Sequence, residues 1–162
     1  MTEVFVGIGS NVEPERHVTQ AVKLLRARFG KLHLSPFYRN PAVGFDGDDF
    51  LNGIAVFETS LSVAELVRAL DRIELDCGRE RGAARFAPRT LDLDLLLYGD
   101  LVTEAPAKLP RKEILKYSFV LKPLADLAPD HRHPQTGETY AAHWASFSGE
   151  RSGLSAVSLP DP

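Results

Sequence analysis

The chain has 162 residues, 44% of them hydrophobic and 25% charged, which is enough apolar matter for one compact domain with a real core and excludes disorder throughout. Lys and Arg number 19 against 22 Asp and Glu, a formal net charge of -3, so no global positive field exists to hold a nucleic-acid backbone and any anion site must be local. The single cysteine, Cys77, excludes an internal disulfide, and neither a basic leader nor an apolar run of roughly 20 residues is present, so the expectation is a soluble protein of the cytoplasm.

In chain order, Val4, Val6 and Ile8 alternate with Phe5, Gly7 and Gly9 and predict a largely buried first strand stopped at Gly9-Ser10-Asn11. Pro14 suits the first turn of a helix whose apolar face is Val18, Ala21, Val22, Leu25 and Phe29 and which Gly30 ends. Residues 31–39 are strand-like, with Pro36 pointing to an edge or bulge, and residues 40–49 form a turn-rich loop. A strand over 50–58 leads to Ser62 and Glu65, a capping box with Leu61 and Leu66 as its staple. The second helix buries Leu66, Leu70, Ile73 and Cys77 and closes at Gly78.

Residues 79–90 then form a loop bearing Arg79, Arg81, Arg85 and Arg89, followed by a strand over 91–97. Beyond it, residues 109–129 read as one or two short helices broken by Pro123 and Pro129. The order β-α-β-β-α-β suggests a ferredoxin-like α+β sandwich with helices over one face of a mostly antiparallel sheet. Residues 1–147 form a single domain in this reading, and 148–162 a poorly ordered tail.

Strand periodicity puts Leu91, Leu93 and Leu95 on one face and Asp92 with Asp94 on the other, the two aspartate Cα atoms about 7 Å apart. Alone, this pattern is more readily a strand face with two solvated aspartates. Four arginines directly before it favour a different chemistry, because fixed-fork donors beside two hard carboxylates suit a polyphosphate with Mg²⁺. The stretch Gly7-Ile8-Gly9-Ser10-Asn11-Val12 lacks the third glycine of a dinucleotide fingerprint, and no GxxxxGK[ST] occurs, so metal and arginine must carry the phosphate chemistry. His131-Arg132-His133 has no supporting carboxylate or cysteine pattern and gets no metal role.

These segments, GIGSN, FYRNPAVG, FLNGIAVFETSLS, RIELDCGRERGAARFAPRTLDLDLLLYG and FVLKPLADLAP in that order, resemble the 6-hydroxymethyl-7,8-dihydropterin pyrophosphokinases of folate synthesis from about residue 4 to residue 137. The most specific piece is PRTLDLDLLLYG. The resemblance implies transfer of the β,γ-diphosphate of ATP to the primary alcohol of the pterin with release of AMP. It implies two Mg²⁺ ions on Asp92 and Asp94, and no nucleic-acid or membrane partner in a monomer or weak homodimer. A non-catalytic nucleotide- or pterin-binding paralogue with a regulatory role is the alternative.

Carried over by position, the resemblance implies that Phe50 and Phe119 stack on the pterin faces, Asn52 bonds its edge, and Gly9, Ala42, Val43 and Asp92 complete that pocket. It implies ATP contacts for Glu74, Leu95, Arg81, Arg85 and Arg89, with Arg79 and Arg89 joining Asp92 and Asp94 in catalysis. The chain departs from the family pattern at Pro110-Arg111-Lys112-Glu113, where Pro-His-Pro-Arg is common, and at Tyr117, where an arginine precedes the Phe. Phe86 stands where Trp is frequent and Asp71 where Gln is seen. Asp71, Phe86, Arg111, Lys112 and Tyr117 are accordingly expected at the nucleotide.

Overall fold

Residues Thr2–Ser10 form β1, which is paired along its whole length on one side and over Val4 to Gly9 on the other. In the computed structural model, which describes residues 1–41, 49–77, 91–151 and 153–159, β1 is flanked by β4 (Phe50–Thr59) and β5 (Asp92–Tyr98), antiparallel to each. Strands β2 (His33–Leu34) and β3 (Phe37–Asn40) both pair with β4. They are separate because Pro36 removes a ladder donor. Ser35 fills the gap, its N–H reaching the Ile54 carbonyl at 2.9 Å and its hydroxyl accepting from the Ile54 N–H at 2.8 Å. The sheet order is β5-β1-β4-β3-β6, the antiparallel order that a ferredoxin-like β-α-β-β-α-β chain produces.

Helices α1 (Pro14–Phe29) and α2 (Val63–Asp76) cover the first face, where Val4, Val6 and Ile8 meet Val18, Leu25, Leu66 and Leu70. Gly30, at φ 84°, ends α1 with its N–H on the Arg26 carbonyl at 2.9 Å. The Ser62 hydroxyl accepts from Glu65 N–H at 3.2 Å and the Glu65 carboxylate accepts from Ser62 N–H at 2.9 Å, the reciprocal box expected for α2.

The other face is not open, contrary to the expectation of helices on one side only. Short α3 (Glu113–Lys116), α4 (Ser118–Leu127) and α5 (Tyr140–Ala145) bury Phe5, Ile54, Val56, Leu96 and Leu97 beneath Ile114, Leu121, Leu124 and Tyr140. The reason lies in strands that are apolar on both sides and so need two covers. Pro123 does not break α4 either. It sits buried inside the helix, costing one backbone bond while Leu121, Leu124 and Ala125 on the same helix pack into the core. Within the stretch expected to be a poorly ordered tail, β6 (Ser155–Val157) pairs antiparallel with β3, and Val157 and Leu159 pack against the first core.

A bulge in β5 sets which residues share a face. Val6 pairs with Leu95 but Phe5 with Leu97, so Leu96 is the extra residue. Leu91, Leu93 and Leu95 therefore join the α1/α2 core, as the alternation predicts, while Leu96 and Leu97 both join the second core. Among the described residues no helix is long and apolar enough to cross a membrane.

Two outcomes are expected from these contacts. Ser62→Ala leaves the Glu65 N–H without its cap and lowers stability by about 1 kcal/mol, which thermal melting reads as a midpoint about 2–4 °C lower. Cys77 is buried and its thiol is pushed up to about 11 by burial and then by the Asp76 charge. It is therefore neutral at pH 8, and an aromatic disulfide reagent should label it only once the chain is unfolded.

Candidate functional site

The second face of the sheet is filled where β1 carries Phe5 and hollow where it carries Gly7 and Gly9. Between these glycines and the start of α3 and α4 lies a cavity of about 310 Å³. The register explains its floor: Gly9 lies between Asn52 of β4 and Asp92 of β5, and Gly7 between Ile54 and Asp94. Adjacent strands are about 4.8 Å apart, so an amide and a carboxylate face each other across roughly two strand spacings with only a glycine between them. A Cβ on Gly9 would stand 2.7 Å from Asn52 Oδ1, closer than real contacts allow.

Polar groups line one flank. Asn52 Nδ2 donates to Asn40 Oδ1 at 2.7 Å, and Asn40, itself buried, donates onward to the Pro41 carbonyl at 3.1 Å. The pair fixes the Asn52 amide in one orientation, which an asparagine inside an apolar strand requires. Beside it on β3, the Tyr38 hydroxyl donates to Asp126, whose other oxygen accepts from Lys122 at 2.8 Å. Burial first, and then the Asp126 bond, push the Tyr38 phenol up to about 12. Tyr38 therefore stays a neutral donor that braces α4 against the sheet.

On the opposite flank, Asp92 and Asp94 share the cavity with Arg111 and Glu113. The Arg111 N–H donates to the Leu96 carbonyl at 3.1 Å, tying the segment before α3 to β5. Its Nε donates to Glu113 Oε2 at 3.1 Å, and its Nη2 lies 3.7 Å from Asp94 Oδ1. The Asp94 side chain keeps 53% of its surface exposed. The pair Asp92 and Asp94 offers two hard oxygen donors on one face of a rigid strand, with room for phosphate oxygens and water, and this donor set fits Mg²⁺. No group of three His, Cys, Asp or Glu side chains gathers to hold a metal among the described residues. The third wall is aromatic: Phe50, Phe119 and Tyr117, the last two stacked at 4.9 Å between centroids.

The fold thus brings together Gly9, Phe50, Asn52, Asp92, Asp94, Arg111, Tyr117 and Phe119 around one cavity. It does not bring Asp71, Glu74, Leu95 or Lys112 to its lining. Asp71 is exposed on α2, Lys112 is exposed before α3, and Leu95 is buried in the first core. Glu74 is buried against β5, where its Oε2 accepts from the Leu93 N–H at 2.7 Å. Ala42, Val43, Arg79, Arg81, Arg85, Phe86 and Arg89 lie outside the described residues. Sequence reasoning missed Gly7, Asn40 and Glu113 as lining residues. Gly7 had a signal, being a second strand glycine two residues from Gly9; Glu113 had none beyond its place two residues from Arg111.

Residues 5–129 match the model of the 7,8-dihydro-6-hydroxymethylpterin-pyrophosphokinase family. The chain is 42% identical over 136 residues to a 2-amino-4-hydroxy-6-hydroxymethyldihydropteridine pyrophosphokinase of Pseudomonas aeruginosa, covering 81% of this chain and 83% of that one. It is 37% identical over 159 residues to the mitochondrial folate synthesis bifunctional protein of Pisum sativum, spanning 96% of this chain but 30% of the pea protein. Among solved structures, wild-type Plasmodium falciparum HPPK-DHPS superposes with a TM-score of 0.73 at 11% identity, over 90% of this chain and 44% of that one. At that identity the superposition speaks for the fold.

Gly9→Ala probes the floor directly. The added methyl must push Asn52 off Asn40, so the Asn52 side-chain amide resonance should shift in a ¹⁵N correlation spectrum while the fold persists, with about 1 kcal/mol lost for the broken bond. An unmoved Asn52 resonance would contradict the close approach of the Gly9 backbone to the Asn52 amide.

Proposed function

This chain belongs to the 7,8-dihydro-6-hydroxymethylpterin-pyrophosphokinase family, and from that premise we infer that it transfers the β,γ-diphosphate of ATP to the hydroxymethyl group of 6-hydroxymethyl-7,8-dihydropterin, releasing AMP, in folate biosynthesis. The observation that carries the reading is the joining of two walls in one cavity. Aromatic side chains and an oriented amide suit a flat heterocycle, and two carboxylates lining the same cavity suit a metal-bound polyphosphate.

In this reading Phe50 and Phe119 hold the pterin between their rings, and Asn52, fixed by Asn40, reads the donor and acceptor edge of the heterocycle. Asp92 and Asp94 would hold Mg²⁺, two ions in the fullest form, which neutralise charge developing on the transferred group. The alcohol oxygen attacks the β-phosphorus, the bond from that phosphorus to the α,β-bridging oxygen breaks, and AMP leaves with the bridging oxygen. The chain's own contribution is positioning: β5 holds the aspartates, and Arg111 with Tyr117 faces the space a triphosphate would enter. Arg79, Arg81, Arg85 and Arg89, directly before β5 in sequence, supply further donors to the phosphates, with Arg79 and Arg89 acting in transfer. Asp71, Glu74, Leu95 and Lys112 do not line the cavity, so any contact from them to the nucleotide would lie beyond it; Phe86 is assigned to the nucleotide side, and Ala42 and Val43 to the pterin side.

A regulatory paralogue without turnover gains no support from the comparisons, since the Pseudomonas relative bears the name of the enzyme. AMP formation separates the two readings. With ATP, the pterin alcohol and Mg²⁺, the wild type should form AMP, and Asp94→Asn should lose about a hundredfold or more in kcat with an unchanged melting curve. Tight binding of both ligands without AMP, or an Asp94→Asn variant at full rate, would overturn the assignment.

A further inference from the structure

Arg111 stands where the family pattern commonly has histidine, and its surroundings here are specific. Its backbone is pinned to β5 at Leu96, its Nε is engaged by Glu113 Oε2 at 3.1 Å, and its Nη2 points along β5 to Asp94 at 3.7 Å. The guanidinium is planar, so a bond at Nε fixes which edge faces outward. Glu113 thereby determines that the outward edge meets Asp94. At 3.7 Å the Asp94 contact is an ion pair rather than a full hydrogen bond, whereas the Glu113 contact is a real one. One end of Arg111 is held, and the other is held weakly.

That asymmetry has a chemical consequence at a metal-nucleotide site. A divalent cation on Asp94 would stand within a few ångströms of the guanidinium, so the free ion must displace or repel a positive charge already in place. A triphosphate arriving with its cation instead offers the Nη edge a better partner than one half-exposed carboxylate. Arg111 can then turn about the bond to Glu113 without leaving the cavity. We propose that Glu113 is a positioning residue that holds Arg111 as an exchangeable counter-cation for Asp94, so that the cavity takes its divalent cation with a nucleotide rather than as the free ion. This rests on reading the cavity as a metal-nucleotide site.

The test separates cation from nucleotide. Mn²⁺ alone, and then a non-hydrolysable ATP analogue with Mg²⁺, are titrated calorimetrically into the full chain and its variants, with thermal melts confirming the fold. Arg111→Gln should bind free Mn²⁺ about three- to fivefold more tightly, the effect of removing one partly exposed competing charge. It should bind the magnesium analogue about tenfold more weakly, the loss of a charge-assisted bond. Glu113→Ala should also weaken the analogue, and Glu113→Gln should restore most of that loss, because an amide oxygen still accepts from Nε.

An Arg111→Gln variant with unchanged or weaker Mn²⁺ affinity overturns the counter-cation, and a Glu113→Gln as impaired as Glu113→Ala overturns the positioning role. AMP formation by the wild type is read in parallel. Activity together with either of those results removes this inference alone. No activity together with a gain in Mn²⁺ affinity removes the enzymatic reading and leaves Arg111 as a cation that competes at Asp94.

Discussion

The structure depends on one face of a sheet being packed at one end and hollow at the other. Phe5, Ile54, Val56, Leu96 and Leu97 make that face a core under α4 and α5. Two residues further along β1 the side chains stop: Gly7 and Gly9 leave the same face without a layer of atoms, and the space becomes the cavity. Helices α3 and α4 cannot sink into it because Ile114, Leu121 and Leu124 seat them on the packed end. The rigidity of the core thus holds the hollow open, and the glycines need no special backbone conformation to do it.

The same face solves the problem of burying carboxylates. Asp92 and Asp94 sit on an apolar strand whose other face is pure core, and a carboxylate withdrawn from water without partners is costly. Here the withdrawal is partial: Asp94 keeps about half its surface, and Arg111 stands beside it. The bulge at Leu96 matters in this respect. Leu96 follows Asp94 on the same face by the period of the strand, and the bulge brings Leu97 to that face as well, so two apolar side chains close the polar stretch and confine it to the hollow end.

Much of this was legible in the sequence, for identifiable reasons. The alternation of leucine and aspartate fixed the face of the carboxylates because a strand has period two. The Ser62 and Glu65 box placed α2, and Pro36 marked an irregularity in the strand-like stretch 31–39, which the fold divides into β2 and β3. What was not legible depended on long-range packing. Strand runs such as Ile54-Ala55-Val56 are apolar on both faces, but that alone does not say which later segment supplies the second cover. Pro123 read as a helix breaker because local propensity ignores the packing of its neighbours. The partners of Arg111 and the bond between Asn40 and Asn52 involve turn chemistry and residues twelve apart, with no periodic signal.

Glu74 illustrates how one side chain can serve stability and site geometry together. The resemblance associates its position with the nucleotide, yet the side chain is buried and bonded to the backbone of Leu93. Strand β5 is at the end of the sheet and, among the described residues, pairs only with β1, so alternate N–H groups along its outer edge have no strand to meet them. The Glu74 carboxylate covers one of them, at the residue between Asp92 and Asp94. A shift of β5 at Leu93 would move both aspartates at once, since the strand carries them as a rigid pair. Glu74 therefore acts on the cavity through the backbone: by accepting from an edge amide it holds the strand that carries the two carboxylates on its far side.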